Sequence, residues 1–483
     1  MRRLLHISII IAVLSALVSC SGHNTTFATI GNSPIYPDYM DVTIPCNIAP
    51  LNFDYAVEEA GKCVTTFTWD GGQQTFRGNK VRWNMRKWRR MLSEAVGGDI
   101  TVSSSTLDTT WTIHVSADSI DYGINYRLIE PGYEVYSKMG IYERSLSDFD
   151  ERALIENTEF DGCVNCHAYN RGDPSKFSLH IRGTHGATLL QLEDGMNAYN
   201  TKTDSTLGFC VYPYWHPSGR YIVYSTNATR QGFHVGNGKL IEVFDSASDL
   251  QVYDTRNNEL ITAPSVKADS LWETFPSFSP DGRTIYFCRA VQKLIPDGLT
   301  NVRYNLYKVG FDPVTGTIGD EVTLLIDAES EGRSISFPKP SYDGRFIMYT
   351  QSDYGQFSIW HHEADLWLLD LTTGERRRLD EVNSDDTESY HNFSSTSRWF
   401  VFSSRRDDGL FTRPYFSHMD TEGNVTKPFM LPQENPSEFY RNRFLSFNVP
   451  EFVTSPVCFD RIKARRLINS PSRKDFGFRR TTF

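Results

Sequence analysis

Two hydrophobic rhythms divide the chain. Val64-Thr65-Thr66-Phe67-Thr68-Trp69 alternates like a half-buried strand and ends at the turn signal Asp70-Gly71-Gly72. Val81, Met85, Trp88, Leu92 and Ala95 then recur at helical spacing, and Gly97-Gly98 stops that helix. Ile100 to Val102 and Trp111 to Val115 resume the alternation. These elements predict a small α+β or sandwich-like module over residues 35–160. Lys80, Arg82, Arg86, Lys87, Arg89 and Arg90 accompany the apolar stripe of the helix. Basic residues opposite such a stripe read as a solvated outer face before they read as a lipid-binding one.

Beyond Phe177 the pattern repeats. Tyr212-Pro213 precedes Pro217-Ser218-Gly219-Arg220, Phe275-Pro276 precedes Pro280-Asp281-Gly282-Arg283, and Phe337-Pro338 precedes Tyr342-Asp343-Gly344-Arg345. Tyr390 opens a degenerate fourth copy that runs to Ser403. In each, an aromatic residue starts a short strand, a turn follows, and an alternating strand returns. Asp-Gly or Ser-Gly supplies the positive φ that such a turn needs. Further strands such as Leu250 to Asp254, Asn305 to Val309 and Asp365 to Leu371 complete each copy. A repeat of about fifty residues built from short antiparallel strands predicts propeller blades. Phe177 to Gly183 and Ala187 to Leu192 predict a blade ahead of these copies, and Phe444 to Phe452 a closing strand. The expected fold is mainly β, a propeller of five or six blades over residues 177–458. A basic, loosely held tail is expected over residues 459–483.

The N-terminus changes the compartment. Arg2 and Arg3 precede an apolar run from Leu4 to Val18, which ends in Leu17-Val18-Ser19-Cys20. This is the shape of a secretory signal peptide, residues 1–19, too short for a membrane span. The ending resembles a bacterial lipobox, which implies lipidation of Cys20 and a tether over residues 20–34. Ser21 after the anchor resembles signals for the periplasmic face of the outer membrane. No later segment has the apolar length of a transmembrane helix. The net charge of −10 argues against a nucleic-acid partner.

One motif carries chemistry. Cys163-Val164-Asn165-Cys166-His167 is a C-x-x-C-H within a predicted loop, residues 161–176. In an exported chain it reads as a c-type haem attachment site: two thiols add to the vinyl groups of haem c, and the adjacent imidazole of His167 ligates iron. A Cys163–Cys166 disulfide or a zinc knuckle would use the same residues. Zinc wants a second close pair of ligands, which is not evident. A distal iron ligand should be His or Met. His180 on the next predicted strand is the first candidate, with His185 and Met139 as others.

The Pro-x-Phe-Ser-Pro-Asp-Gly-Arg pattern resembles the WD-type repeat of TolB-like propellers, from about Tyr169 to Pro456. The layout also resembles a family of TolB-like lipoproteins from anaerobic Gram-negative bacteria. That resemblance rests on Ile44-Pro45, Asn47 to Phe53, Asn165-Cys166-His167 and Asn448-Val449-Pro450-Glu451-Phe452. It implies a periplasmic propeller with a haem and carries no known activity. The TolB likeness implies envelope protein partners, the haem motif an electron carrier, and the alternative is a binding propeller without haem. Cys46 departs from the family pattern, which suggests a disulfide between Cys46 and Cys63. A hydrolase would be a different reading, with acids such as Asp365 and Glu388 facing a channel. No G-x-S-x-G elbow supports it.

Overall fold

The computed structural model describes residues 33–56, 63–131, 138–204, 206–234, 238–295 and 298–479, without the side chain of residue 165. The signal peptide, Cys20 and nearly all of the tether lie outside the described residues. No described helix is long and apolar enough to cross a membrane.

The first rhythm builds a five-stranded sheet. Its order is Val42–Pro45, Thr109–Ser116, Asp99–Ser104, Val64–Trp69, Gly72–Arg77. The helix Met85–Ala95 buries Trp88, Met91, Leu92 and Ala95. Asn84 caps it by accepting from the amides of Arg86 and Lys87. Its basic residues are engaged locally: Arg82 pairs with Asp54, Arg90 with Glu94, and Arg89 donates to the Ser147 carbonyl. The helix face is therefore the solvated one that the sequence favours.

The second rhythm builds six four-stranded antiparallel blades. Their inner strands are Cys163–Asn170, Cys210–Trp215, Leu271–Phe278, Ser334–Pro340, Glu388–Phe393 and Ser446–Val453, here blades 1 to 6. Each inner strand contacts the next, and the sixth contacts the first, so the six surround a channel. A single bridge, Ser248 to Trp272, joins blades 2 and 3 into one sheet. Blade 6 has two origins. Its inner strand comes from the C-terminal region, and Gly123–Ile129, Gly140–Ser145 and Glu151–Glu156 supply the rest. Mainly β architecture of propeller type, and the closing strand, agree with the sequence reading.

Several expectations need correction. The α+β module does not run to residue 160, because Gly123–Ile129, Gly140–Ser145 and Glu151–Glu156 belong to blade 6. The propeller accordingly starts well before residue 177. Residues 161–176 are not a loop: Cys163–Asn170 is the inner strand of blade 1. The turn residues around the motif mark strand ends, with Arg171 and Gly172 at φ of 54° and 76° in a two-residue hairpin turn. The tail is docked. The helix Arg461–Asn469 buries Ala464 and Ile468, and Lys474–Asp475 and Gly477–Phe478 pair with the outer strands of blades 1 and 2. Phe476 stacks on Tyr253 with ring centroids 3.7 Å apart.

Cys46 and Cys63 are free thiols. Cys46 follows the strand Val42–Pro45 and Cys63 precedes Val64–Trp69, with two strands between them in the sheet. Those strands alone impose about 14 Å, beyond the reach of a disulfide.

The module packs on blades 5 and 6 through one continuous apolar core that includes Ile44, Trp88, Val115, Trp399 and Phe447. The buried Trp399 indole donates to the Asp118 carbonyl at 3.1 Å, and His418 Nε2 meets Asp118 at 2.7 Å. Trp399→Ala should cost about 3–5 kcal/mol in urea unfolding, the range for an aromatic truncated in a close-packed core. A change below about 1 kcal/mol would mean that the seam is not held there.

Candidate functional site

All six inner strands share one irregularity. Two consecutive residues face a single residue on the neighbouring strand, a β-bulge between Val164 and His167, Val211 and Tyr214, Thr274 and Ser277, Ser336 and Lys339, Ser389 and Asn392, and Asn448 and Glu451. The first bulge residue is left-handed in five blades: Tyr212, Phe275, Phe337, Tyr390 and Val449 have φ of 50–54°. Four of these form a belt across the channel. Ring centroids are 4.6 Å apart for Tyr212 and Phe275, 4.2 Å for Phe275 and Phe337, and 5.0 Å for Phe337 and Tyr390.

Residue 165 and Cys166 hold these positions in blade 1. The C-x-x-C-H motif is thus the blade 1 copy of the aromatic-Pro repeat, with Cys166 where blades 2, 3, 4 and 6 carry proline. His167 occupies the level of Tyr214, Ser277, Lys339, Asn392 and Glu451. The motif lines the cavity inside the channel.

A cavity of about 240 Å³ occupies the channel, and Cys163, Cys166 and His167 all line it. Both thiols are free. Burial raises the Cys163 pKa, and the nearby Arg127 and Arg182 partly offset this. His167 is 6% exposed, and neither ring nitrogen makes a hydrogen bond of good geometry, although the backbone of Asn125 and Val449 stands beside the ring. Burial, and then the Arg127 cation, push it down to about 3. It is therefore neutral at physiological pH, with a lone pair free for a ligand.

His180 is placed differently. It lies on the second strand of blade 1, opposite the bulge, where the other blades carry Tyr224, Phe287, Tyr349, Phe402 and Tyr126. Its Nδ1 meets the Thr188 hydroxyl at 3.0 Å, and its ring packs against Phe209 toward blade 2. His167 instead lies near Asn125, Arg127 and Val449 of blade 6. The two histidines occupy opposite faces of one sheet, and His180 does not line the cavity. His180 is a packing residue there, not a distal ligand. Among the three distal candidates only Met139 lines the cavity; His185 does not.

The donors fit a covalent haem: two free thiols and an uncharged, unpartnered imidazole border one cavity, with Arg127, Arg182 and Arg405 available to balance propionates. The volume is smaller than the roughly 300–1,000 Å³ of pockets that enclose drug-sized ligands. A porphyrin would therefore enter only with outward movement of the walls. No cluster of three or more His, Cys, Asp or Glu side chains suits a metal ion among the described residues.

The acids considered for hydrolysis are structural. Glu388 is buried against Arg406, Ser384 and Ser404, and Asp365 pairs with Arg378. Neither lines the cavity. The sequence reading missed Arg127, Arg182, Arg405, Lys339 and Glu451, which do. Lys339 and Glu451 carry a signal, standing one residue after Pro338 and Pro450 in the repeat. Burial pushes Glu451 up to about 7, while it accepts from the Tyr169 amide at 2.9 Å.

No protein-family profile and no curated protein match the chain. Among solved structures, TolB from Acinetobacter baumannii is 14% identical with a TM-score of 0.42, covering 73% of this chain and 78% of that one. An apocarotenoid oxygenase mutant from Synechocystis is 13% identical with a TM-score of 0.38, covering 82% and 92%. An oligogalacturonate lyase from Vibrio parahaemolyticus is 12% identical with a TM-score of 0.33, covering 59% and 84%. The propeller-type description rests on the ring of inner strands, and nothing about the site is taken from these likenesses.

The unpartnered imidazole has a pH signature. Its unfolded form titrates near 6.5 and its folded form near 3, so the unfolded chain binds the extra proton between those values. Stability falls as pH drops below about 6.5. In His167→Gln that loss should be smaller by up to about 1.4 kcal/mol per pH unit. The His167 ring resonance of the parent should not shift between pH 8 and 5, and a midpoint near 6.5 would refute its placement.

Proposed function

We propose that the chain is a six-bladed, TolB-like binding propeller, lipid-anchored through Cys20 at the periplasmic face of the outer membrane. In this reading it docks envelope proteins, and Cys163 and Cys166 attach one haem c inside the channel. The observation that carries the site is the convergence of two free thiols and an unpartnered imidazole on one cavity wall. The lipobox-like ending Leu17-Val18-Ser19-Cys20 supports the anchor.

Cys163 and Cys166 would carry the thioether bonds, and His167 would ligate the iron. When bound, the group would supply one-electron transfer. The protein's own contributions are separate. Burial keeps the His167 imidazole unprotonated, so its lone pair is available. The belt from Tyr212 to Tyr390 walls the site from water, and the bulge fixes the spacing of the motif along the strand.

The test is expression in a host with haem-maturation machinery. The purified protein should show a reduced α-band and keep its colour through acid-acetone extraction. The Cys163→Ala, Cys166→Ala double variant should lose more than about nine-tenths of the covalent haem, since both attachment points are gone. A colourless parent would end the haem reading and leave a non-haem binding propeller. A pull-down from solubilised envelope with the double variant then reads partner binding by itself.

A further inference from the structure

The cavity wall inverts the charge of the molecule. The chain carries a net charge of −10, yet five cationic side chains and two carboxylates line the cavity. Three of the cations, Arg127, Arg182 and Arg405, line the cavity together with the aromatic belt. Arg127 and Arg182 both act on the Cys163 thiol, and Arg127 and Arg405 both act on the Tyr390 hydroxyl. Arg182 also acts on Tyr212.

Two of these guanidinium groups lack a counterion. Arg405 is 3% exposed and lies flat on Trp360, its carbon 3.3 Å from the ring centroid. It donates to the carbonyls of Ile359 and Leu410, and no carboxylate is within ion-pairing distance among the described residues. Arg182 is half-buried on the wall, and its side chain makes no ion pair or hydrogen bond among the described residues. Burying a cation without a partner is costly, and a buried charge is ordinarily paired. The hydroxyls of Tyr212 and Tyr390 also have no partner among the described residues. The Arg182 side chain and the two hydroxyls leave donors without acceptors on this wall, and aromatic rings border it.

We propose that this chamber binds a small carboxylate with a flat apolar body. The forked guanidinium groups of Arg182 and Arg405 take the carboxylate oxygens, with Arg127 adding positive charge. Guanidinium geometry matches a carboxylate through two parallel hydrogen bonds. The Tyr212 and Tyr390 hydroxyls donate from the belt, and Phe275, Phe337 and Trp360 contact the body. The cavity of about 240 Å³ has room for a small ring-bearing ligand. An attached haem would occupy the same cavity and the same arginines, so this binding belongs to the haem-free chain.

The experiment uses the full chain from a host without haem-maturation machinery, and the Cys163→Ser, Cys166→Ser chain, which can carry no haem. Benzoate, its uncharged isostere benzamide, and inorganic phosphate are titrated by calorimetry at low salt. Benzoate should bind both chains, and benzamide at least about tenfold more weakly, because charge-assisted bonds are roughly twice as strong as neutral ones. Arg182→Gln, at a half-buried and unpartnered position, should weaken benzoate about tenfold without lowering the melting temperature of the free protein. Arg405→Lys keeps the charge but loses the fork, and it should also weaken binding. Equal affinity for benzamide, binding of phosphate alone, no binding at all, or unchanged affinity in Arg182→Gln would each overturn the proposal. Loss of the haem spectrum with benzoate binding intact would overturn only the haem reading.

Discussion

The β-bulge in each inner strand is the constraint on which the rest depends. One extra residue enters the strand, and in five blades a residue other than glycine turns left-handed to accommodate it. A left-handed conformation costs an L-residue about 1–2 kcal/mol, and Val449, β-branched, sits at the unfavourable end. Packing within the belt offsets part of this cost, since each good aromatic pair adds about 0.5–1.5 kcal/mol beyond area burial. The bulge changes which way the strand presents its side chains. It brings the belt onto the channel axis and sets the next residue, among them His167, Lys339 and Glu451, along the wall. The channel is therefore a product of backbone geometry repeated six times, with chemistry varied by substitution at fixed levels.

Blade 1 is where that variation is sharpest. Other blades place proline at the second bulge position or, in blade 5, His391. Proline suits the site because its fixed φ and missing amide remove a donor the bulge cannot pair. Cys166 replaces that rigid residue with a reactive one. Cys210, at the level of Cys163 in blade 2, is wholly buried, and its pKa is pushed up to about 12 by burial, so it stays an inert thiol. The same residue type at the same level thus serves packing in one blade and faces the cavity in the next.

Much of this was legible in the sequence. The aromatic-Pro and turn repeats located four inner hairpins, because both signals are local and each fixes a backbone angle. Even the degenerate copy obeys the rule, with Ser397 taking the left-handed turn position that glycine holds elsewhere. Two things were hidden. Blade 6 could not be read as a unit, because its inner strand is separated from Gly123–Ile129 by the whole of the other five blades. The motif strand was mistaken for a loop because it lacks the aromatic-Pro pair and is bracketed by glycine turns. His180 was mistaken for a ligand because its equivalence to Tyr224, Phe287 and Tyr349 appears only once the strands are in register. The arginines around the cavity come from separate blades, and no spacing rule links them.

The split origin of blade 6 bears on how the molecule comes into being. Gly123–Ile129 leaves the ribosome, and crosses any membrane in its path, long before Ser446–Val453 exists to pair with it. Until then its hydrogen-bonding edge stands open, and an open edge invites pairing with the wrong strand. A contact between such distant segments is slow to form. Any helper that shields nascent chains would therefore find its clearest target in Gly123–Ile129. The last inner strand to arrive acts as a latch, and the cavity takes its final shape only when that latch engages.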